Sequence, residues 1–356
     1  MEELIRKIKE TINKTNNLPP SFFVGEMGVC FSLYLINKIK SDDEIEQMAD
    51  NLLDKVVNSI ITMKDTSFVN GLAGIGWAIN YLHMKNCLAG DADEILYNID
   101  ATIYKKVHNH QDRVNIDFEH GFIGYLAYVV FRLMNEKHKD NNLQKQLNEA
   151  TLRAIIDKLE MMIPYRIPIM SKDLYSTLTW EFPILFYCLG KALKLGIYKE
   201  KICSMYGNWS YLFTCILPYL NINRLAIANS LAYSNSVIKN QFIGSYIDTL
   251  FYSVNFDSYI HEIGKESVQL CGDWFYAMLN SYMARILMNK KHIRYPELED
   301  VNKKILYLYN TDATETLYNM GDAQPNITLI NGCSGALLVY YLFHNDLKNE
   351  NTSIII

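Results

Sequence analysis

A chain of 356 residues with 49% apolar side chains can bury a large core, so disorder is excluded and one large domain or two are expected. A net charge of −5 is mild, and no Lys/Arg cluster interleaves with aromatics, which argues against a nucleic-acid partner. Seven scattered cysteines that never form C-x-x-C predict reduced thiols in a cytoplasmic protein. The longest apolar stretch, Ala336 to Phe343, is far short of the ~20 residues that span a bilayer, so no transmembrane segment is expected.

In chain order, Met1 to Glu10 reads as a charged amphipathic helix without a signal-peptide core, and an N-terminal helix is assigned to residues 1–18. Pro19-Pro20 closes it and opens a single domain over residues 19–350. That domain is organised by a repeat. Four segments read G-x-x-G followed by an apolar run: Gly25-Glu26-Met27-Gly28, Gly71-Leu72-Ala73-Gly74, Gly121-Phe122-Ile123-Gly124 and Gly332-Cys333-Ser334-Gly335. Three more units lack the glycines but keep the flanking pattern. The seven units begin at residues 25, 71, 121, 181, 234, 273 and 332, which leaves roughly 40 to 60 residues for two helices and two loops each.

The run after each motif is apolar on most faces, as in Ile123, Tyr125, Leu126, Tyr128, Val129, Val130 and Leu133. Such a helix is covered on both sides. Asp43 to Ile60 and Gln144 to Met162 are more polar and amphipathic, and suit an outer layer. Strand signals are weak; Tyr165 to Met170 is short and interrupted by Pro168. The chain reads as all-α. A glycine where a loop turns into an inner helix permits φ > 0 and lets backbone approach backbone.

With these motifs the chain resembles the lanthionine synthetase C-like family, the cyclases of lanthipeptide biosynthesis. The resemblance covers roughly residues 20 to 345. It rests above all on Asn70-Gly71-Leu72-Ala73-Gly74-Ile75-Gly76 and His120-Gly121-Phe122-Ile123-Gly124. It implies an α/α toroid with seven inner and seven outer helices. In the active cyclases that this chain resembles, zinc activates a substrate cysteine thiol for addition to a dehydrated Ser or Thr. That chemistry needs three protein ligands and one open position.

The resemblance implies that most of this zinc site is missing. Ala232 stands at the cysteine position of the fifth repeat, beside Tyr233 at the family tyrosine. In the sixth repeat Cys271 matches the ligand cysteine, but Gly272 replaces the histidine, so Cys271 is the only surviving ligand position. In the fourth repeat Trp180, before Glu181 and Pro183, replaces the histidine with a proposed acid/base role. No metal and no other cofactor is therefore expected.

In the third repeat Asp117 keeps the family's acid/base carboxylate position. Asp117, His120 and Tyr233 are the candidate catalytic groups, and Asp117 can equally cap the helix. Glu119, Trp180, Glu181, Cys271, Asp273 and Trp274 are expected to line a peptide-binding cavity. Elsewhere His108-Asn109-His110 lacks a third ligand, and Cys333 reads as a buried thiol.

The expected function is that of a zinc-free, catalytically degenerate member of bacteriocin-type lanthipeptide biosynthesis. It would bind a precursor peptide, or a lanthipeptide dehydratase or transporter complex at the periphery of a membrane. Two other readings compete: an active cyclase with a non-standard site, and a toroid hydrolase using Asp117 with Glu119.

Overall fold

The computed structural model describes residues 2–14, 18–109, 115–135, 142–173, 181–214, 217–256, 327–329 and 332–342, together with 280, 281, 283, 284 and 287. Among the described residues every regular element is a helix. They are α1 (Glu2–Lys14), α2 (Glu26–Lys40), α3 (Asp43–Ile60), α4 (Leu72–Met84), α5 (Ala92–His108) and α6 (Phe122–Met134), followed by α7 (Asn142–Asp173), α8 (Glu181–Lys194), α9 (Lys199–Thr214), α10 (Asn221–Ile238), α11 (Gln241–Tyr252) and α12 (Cys333–Tyr341).

Two layers follow from the burial of these helices. In α4 every residue from Leu72 to His83 is buried, and in α6 every residue from Phe122 to Arg132. Helices covered all round must have neighbours on both sides. The helices between them bury one stripe only: α3 buries Ile45, Ala49, Leu52 and Val56, spaced for one face of a helix. Thus α2, α4, α6, α8, α10 and α12 form the inner layer, and α3, α5, α7, α9 and α11 the outer. The helix α1 packs against α12 and adds Leu4, Ile5 and Ile8 to the same continuous core.

The layers also start their helices differently. Outer helices are capped by side chains: Asp42 accepts the backbone N–H groups of Glu44 and Ile45, and Asn240 those of Phe242 and Ile243. The inner helices α2, α4 and α6 have glycine N-caps with no side-chain bond. Their first N–H groups go to the loop that precedes them: Glu26 donates to Pro19 O at 2.8 Å, Leu72 to Asp65 O at 2.9 Å and Phe122 to Asn115 O at 2.9 Å. A loop folded back this tightly leaves no room for a side chain at the cap. A Cβ on Gly71 would lie 2.5 Å from Asp65 O. The caps have φ of −140°, −123° and −118°, which any residue can adopt. Of the two roles the sequence suggested for these glycines, close approach is the one found here, and a positive φ is not used.

In the first three motifs the second glycine makes room for its own loop and for the neighbouring repeat. A Cβ on Gly74 would meet Phe22 Cβ at 3.2 Å, and one on Gly124 would meet Phe68 Cβ at 2.8 Å. One on Gly28 would meet Leu329 Cγ at 2.8 Å. Leu329, Phe22 and Phe68 each stand three residues before the first glycine of their own repeat. The same contact thus runs from the seventh repeat to the first, the second and the third, and closes the ring. Backbone bonds reinforce it: Phe23 donates to Val69 O at 3.3 Å and Phe68 to Glu119 O at 2.9 Å.

At the other end of the barrel a buried ionic cluster joins α4, α5, α6 and α7. Arg132 on α6, 0% exposed, bonds Asp100 (2.8 Å) and Asp93 (2.9 Å) on α5. It also donates to Asn80 on α4, and Asp100 accepts from Gln144 on α7 and from Tyr128. Each buried charge here has a counter-charge and hydrogen bonds, the condition under which such a group is tolerated.

Two boundaries differ from the sequence reading. The outer helix expected over residues 144–162 runs on to Asp173, through the stretch that carried the weak strand signal. The fifth inner helix begins at Asn221, so Ser234 is near its end and does not mark a loop. The sixth repeat's motif at 270–273 lies outside the described residues.

Candidate functional site

Loops from successive repeats gather at the N-terminal end of the inner helices, and four of the expected site residues stand there. Asp117 lies four residues before the first glycine of its repeat. Its Oδ1 accepts the backbone N–H of His120 at 2.6 Å. Ser67 holds the same position in the second repeat, and its Oγ accepts the N–H of Asn70, also three residues on, at 3.3 Å. The position therefore carries a loop-closing oxygen in two repeats, and the aspartate performs that structural task. Glu119 and His120 are exposed, with Glu119 Oε1 3.5 Å from His120 Nε2. Glu181 is the first residue of α8, where a carboxylate is favoured by the helix dipole. Phe23 and Phe118 are half-buried beside them, with ring centroids 6.2 Å apart.

Tyr233 is not part of this group. It lies near the C-terminal end of α10, with its ring 5.4 Å from that of Tyr187, and packs against Gly190 on α8. Gly190 is nine residues into α8, so Tyr233 sits roughly 14 Å of helix rise away from the end that carries Asp117. Burial raises its phenol pKa. Asp117, His120 and Tyr233 therefore do not converge on one reacting centre. Trp180, Cys271, Asp273 and Trp274 lie outside the described residues.

The loop into the fifth inner helix is held in another way. Arg224 Nε donates to Pro218 O at 2.6 Å and its Nη1 to Ser253 O at 2.6 Å. A guanidinium here satisfies carbonyls that the glycine motif would bring onto helix N–H groups. Residues 217–223 read Leu-Pro-Tyr-Leu-Asn-Ile-Asn and contain no sulfur, imidazole or carboxylate. Ala232, the position first matched to a zinc ligand, is inside α10. Residues 217–223 and Ala232 therefore supply no zinc ligand under either register, while Cys215, earlier in the same loop, lies outside the described residues. Among the described residues no cluster of three His, Cys, Asp or Glu could hold a metal.

Other candidates prove structural. His108 Nδ1 is 2.8 Å from Tyr104 O, and its ring stacks on Tyr104 at the end of α5. Cys333 is fully buried at the start of α12. One residue passed over in the sequence is Lys191, a buried charge in the apolar α8. The signal was present, since a lone lysine interrupts the apolar run from Phe182 to Leu193.

The family model described as "Lanthionine synthetase C-like protein" matches residues 17–176, the span holding the first three glycine motifs. Over those residues the chain is similar to the lanthionine synthetase C-like family. Among solved structures, this chain is similar to one titled "Nisin cyclase", with a TM-score of 0.59 and 13% sequence identity, over 97% of this chain and 93% of that one. At that identity the likeness is one of fold, that of the α/α toroid. No curated protein sequence matches this chain. Among the described residues no helix is long and apolar enough to cross a membrane.

Proposed function

We propose that this chain acts in lanthipeptide biosynthesis as a zinc-free member of the cyclase family. It binds a precursor peptide at the loop end of its ring and carries out no ring closure. The family match over residues 17–176 and the cyclase-like fold support the pathway. The observation that carries the loss of chemistry is the fifth repeat. The described part of its loop and its first turn, residues 217–223, carry no sulfur, imidazole or carboxylate, and Arg224 clamps that loop by its backbone.

The loop end suits a peptide. Phe23 and Phe118 are half-buried aromatics there, Glu119 and His120 follow Phe118 as exposed polar groups, and Glu181 stands at the same end of the next inner helix. Asp117 has less support as an acid or base, because its carboxylate already holds the turn. The same engagement weakens the hydrolase reading, since Glu119 turns toward His120. A lanthipeptide dehydratase or transporter complex, at the periphery of a membrane, is the partner that this role implies.

The experiment is incubation of the purified chain with a dehydrated precursor peptide. The peptide is expected to bind with its free thiols unchanged. Thioether rings formed at a rate that depends on the protein would overturn the reading.

A further inference from the structure

The helix α8 carries two ammonium groups at the end of the barrel opposite Asp117. Lys191 is 6% exposed, which is unusual for a lysine without a counter-charge. Its Nζ lies 4.7 Å from the ring centroid of Phe131 on α6 and 5.7 Å from that of Tyr233 on α10. Lys194, one turn on, sits 3.7 Å over the same Tyr233 ring. Among the described residues neither amine has a carboxylate within ion-pair reach or a hydrogen-bond acceptor. The groups that act on Lys191 are the Cys188 thiol and Lys194 itself.

The usual structural remedies are used up or partial. The carbonyls at the end of α8 are taken: Leu195 donates to Lys191 O, Gly196 to Leu193 O and Ile197 to Ala192 O. Ring faces attract a cation but do not neutralise it. Compare Arg132 on the adjacent inner helix, whose buried charge meets two carboxylates. A buried ammonium left so, with a second one converging on the same ring, is arranged for an anion that arrives from outside.

We propose that Lys191 and Lys194, with the Tyr233 phenol between them, bind an oxyanion at the C-terminal end of the inner helices. The shared chemistry is that of a carboxylate or phosphate group, from free phosphate or from the C-terminus of a bound peptide. Both ammonium groups lie against the Tyr233 ring, and its phenol, which burial pushes up, stays a protonated donor on that ring. The site does not depend on the peptide-binding reading of the loop end.

The test is thermal unfolding of the full chain at constant ionic strength. It is titrated separately with inorganic phosphate, with a tripeptide bearing a free carboxylate, and with the same tripeptide amidated. A saturable rise in Tm is expected with phosphate or the free carboxylate and none with the amide. Phosphate alone acting identifies a free-anion site; the carboxylate peptide acting identifies a peptide terminus. Lys191→Met should lose the response and Lys191→Arg should keep it. If Lys191→Met does not fold, Lys194→Gln should weaken the response instead. Equal responses in the native protein and the foldable variants, or no saturable rise with either anion, would overturn the proposal.

Discussion

Leu329 of the seventh repeat packs against Gly28 of the first, its Cγ 2.8 Å from the point a Cβ on Gly28 would occupy. Phe22 stands in the same relation to Gly74, and Phe68 to Gly124. One contact thus joins the seventh repeat to the first, the first to the second and the second to the third, and the second glycine of each of these three motifs is its receiving half.

Gly28→Ala should destabilise the protein, because the methyl would press on both Phe22 O and Leu329. Overpacking of this kind costs about 1–3 kcal/mol. Gly207, on the exposed face of α9 with nothing within 4 Å, is the control. Gly207→Ala should gain roughly 0.5–1 kcal/mol from helix propensity. Denaturant unfolding of both variants checks the pair. Equal effects would mean that the glycines are not held by close approach.

Arg132→Met should cost about 3–5 kcal/mol, since it strands the buried carboxylates of Asp93 and Asp100. The loss should be smaller in Arg132→Met combined with Asp100→Asn, because the partners are coupled. A double-mutant cycle in urea measures this.

Lys191 gives a pH dependence of defined sign. Burial, with Lys194 adding to it, pushes its amine down to about 8. The unfolded amine titrates near 10.4, so between these values the unfolded chain holds more protons. The cost of burying the charge is full below about pH 8 and fades as pH rises toward 10. Lys191→Met removes it, and should be more stable than the native protein at pH 7 by up to about 3 kcal/mol. That advantage should shrink above pH 8. Cys188, pushed up to about 12 by burial, makes its own contribution at higher pH. It is present in both proteins, so the difference between the two unfolding curves isolates Lys191.

Asp117 separates a turn-forming role from an acid/base one. Asp117→Asn keeps an oxygen for the His120 N–H and should leave stability nearly unchanged, whereas Asp117→Ala should cost about 1 kcal/mol. Peptide affinity should follow the same order. Peptide chemistry lost in Asp117→Asn with stability intact would instead mark a proton-transfer role.

How far the sequence could be read tracks where glycine is needed. The motifs at Gly25, Gly71, Gly121 and Gly332 each sit where an inner helix starts, and at the first three a loop folded onto its own helix tolerates no Cβ. The sequence places the fifth repeat more than three helical turns too far along, since Arg224, bonding Pro218 O and Tyr219 O, holds this loop without the glycines that mark the other repeats. The long α7 was cut short because Pro164 and Pro168 read as breakers, yet the helix continues through both. At the site, the grouping of Asp117, Glu119, His120 and Glu181 at one end was legible from their positions beside helix starts. The separation of Tyr233 was not, because it depends on where α10 begins. Lys191 was legible only as a charge out of pattern.

The central claim is that the ring persists while its fifth-repeat metal donors do not. Metal analysis of the full chain, purified after expression with added zinc, tests it most directly. Far less than one equivalent of bound zinc is expected. One tightly held equivalent, lost when Cys271 is replaced by alanine, would contradict it.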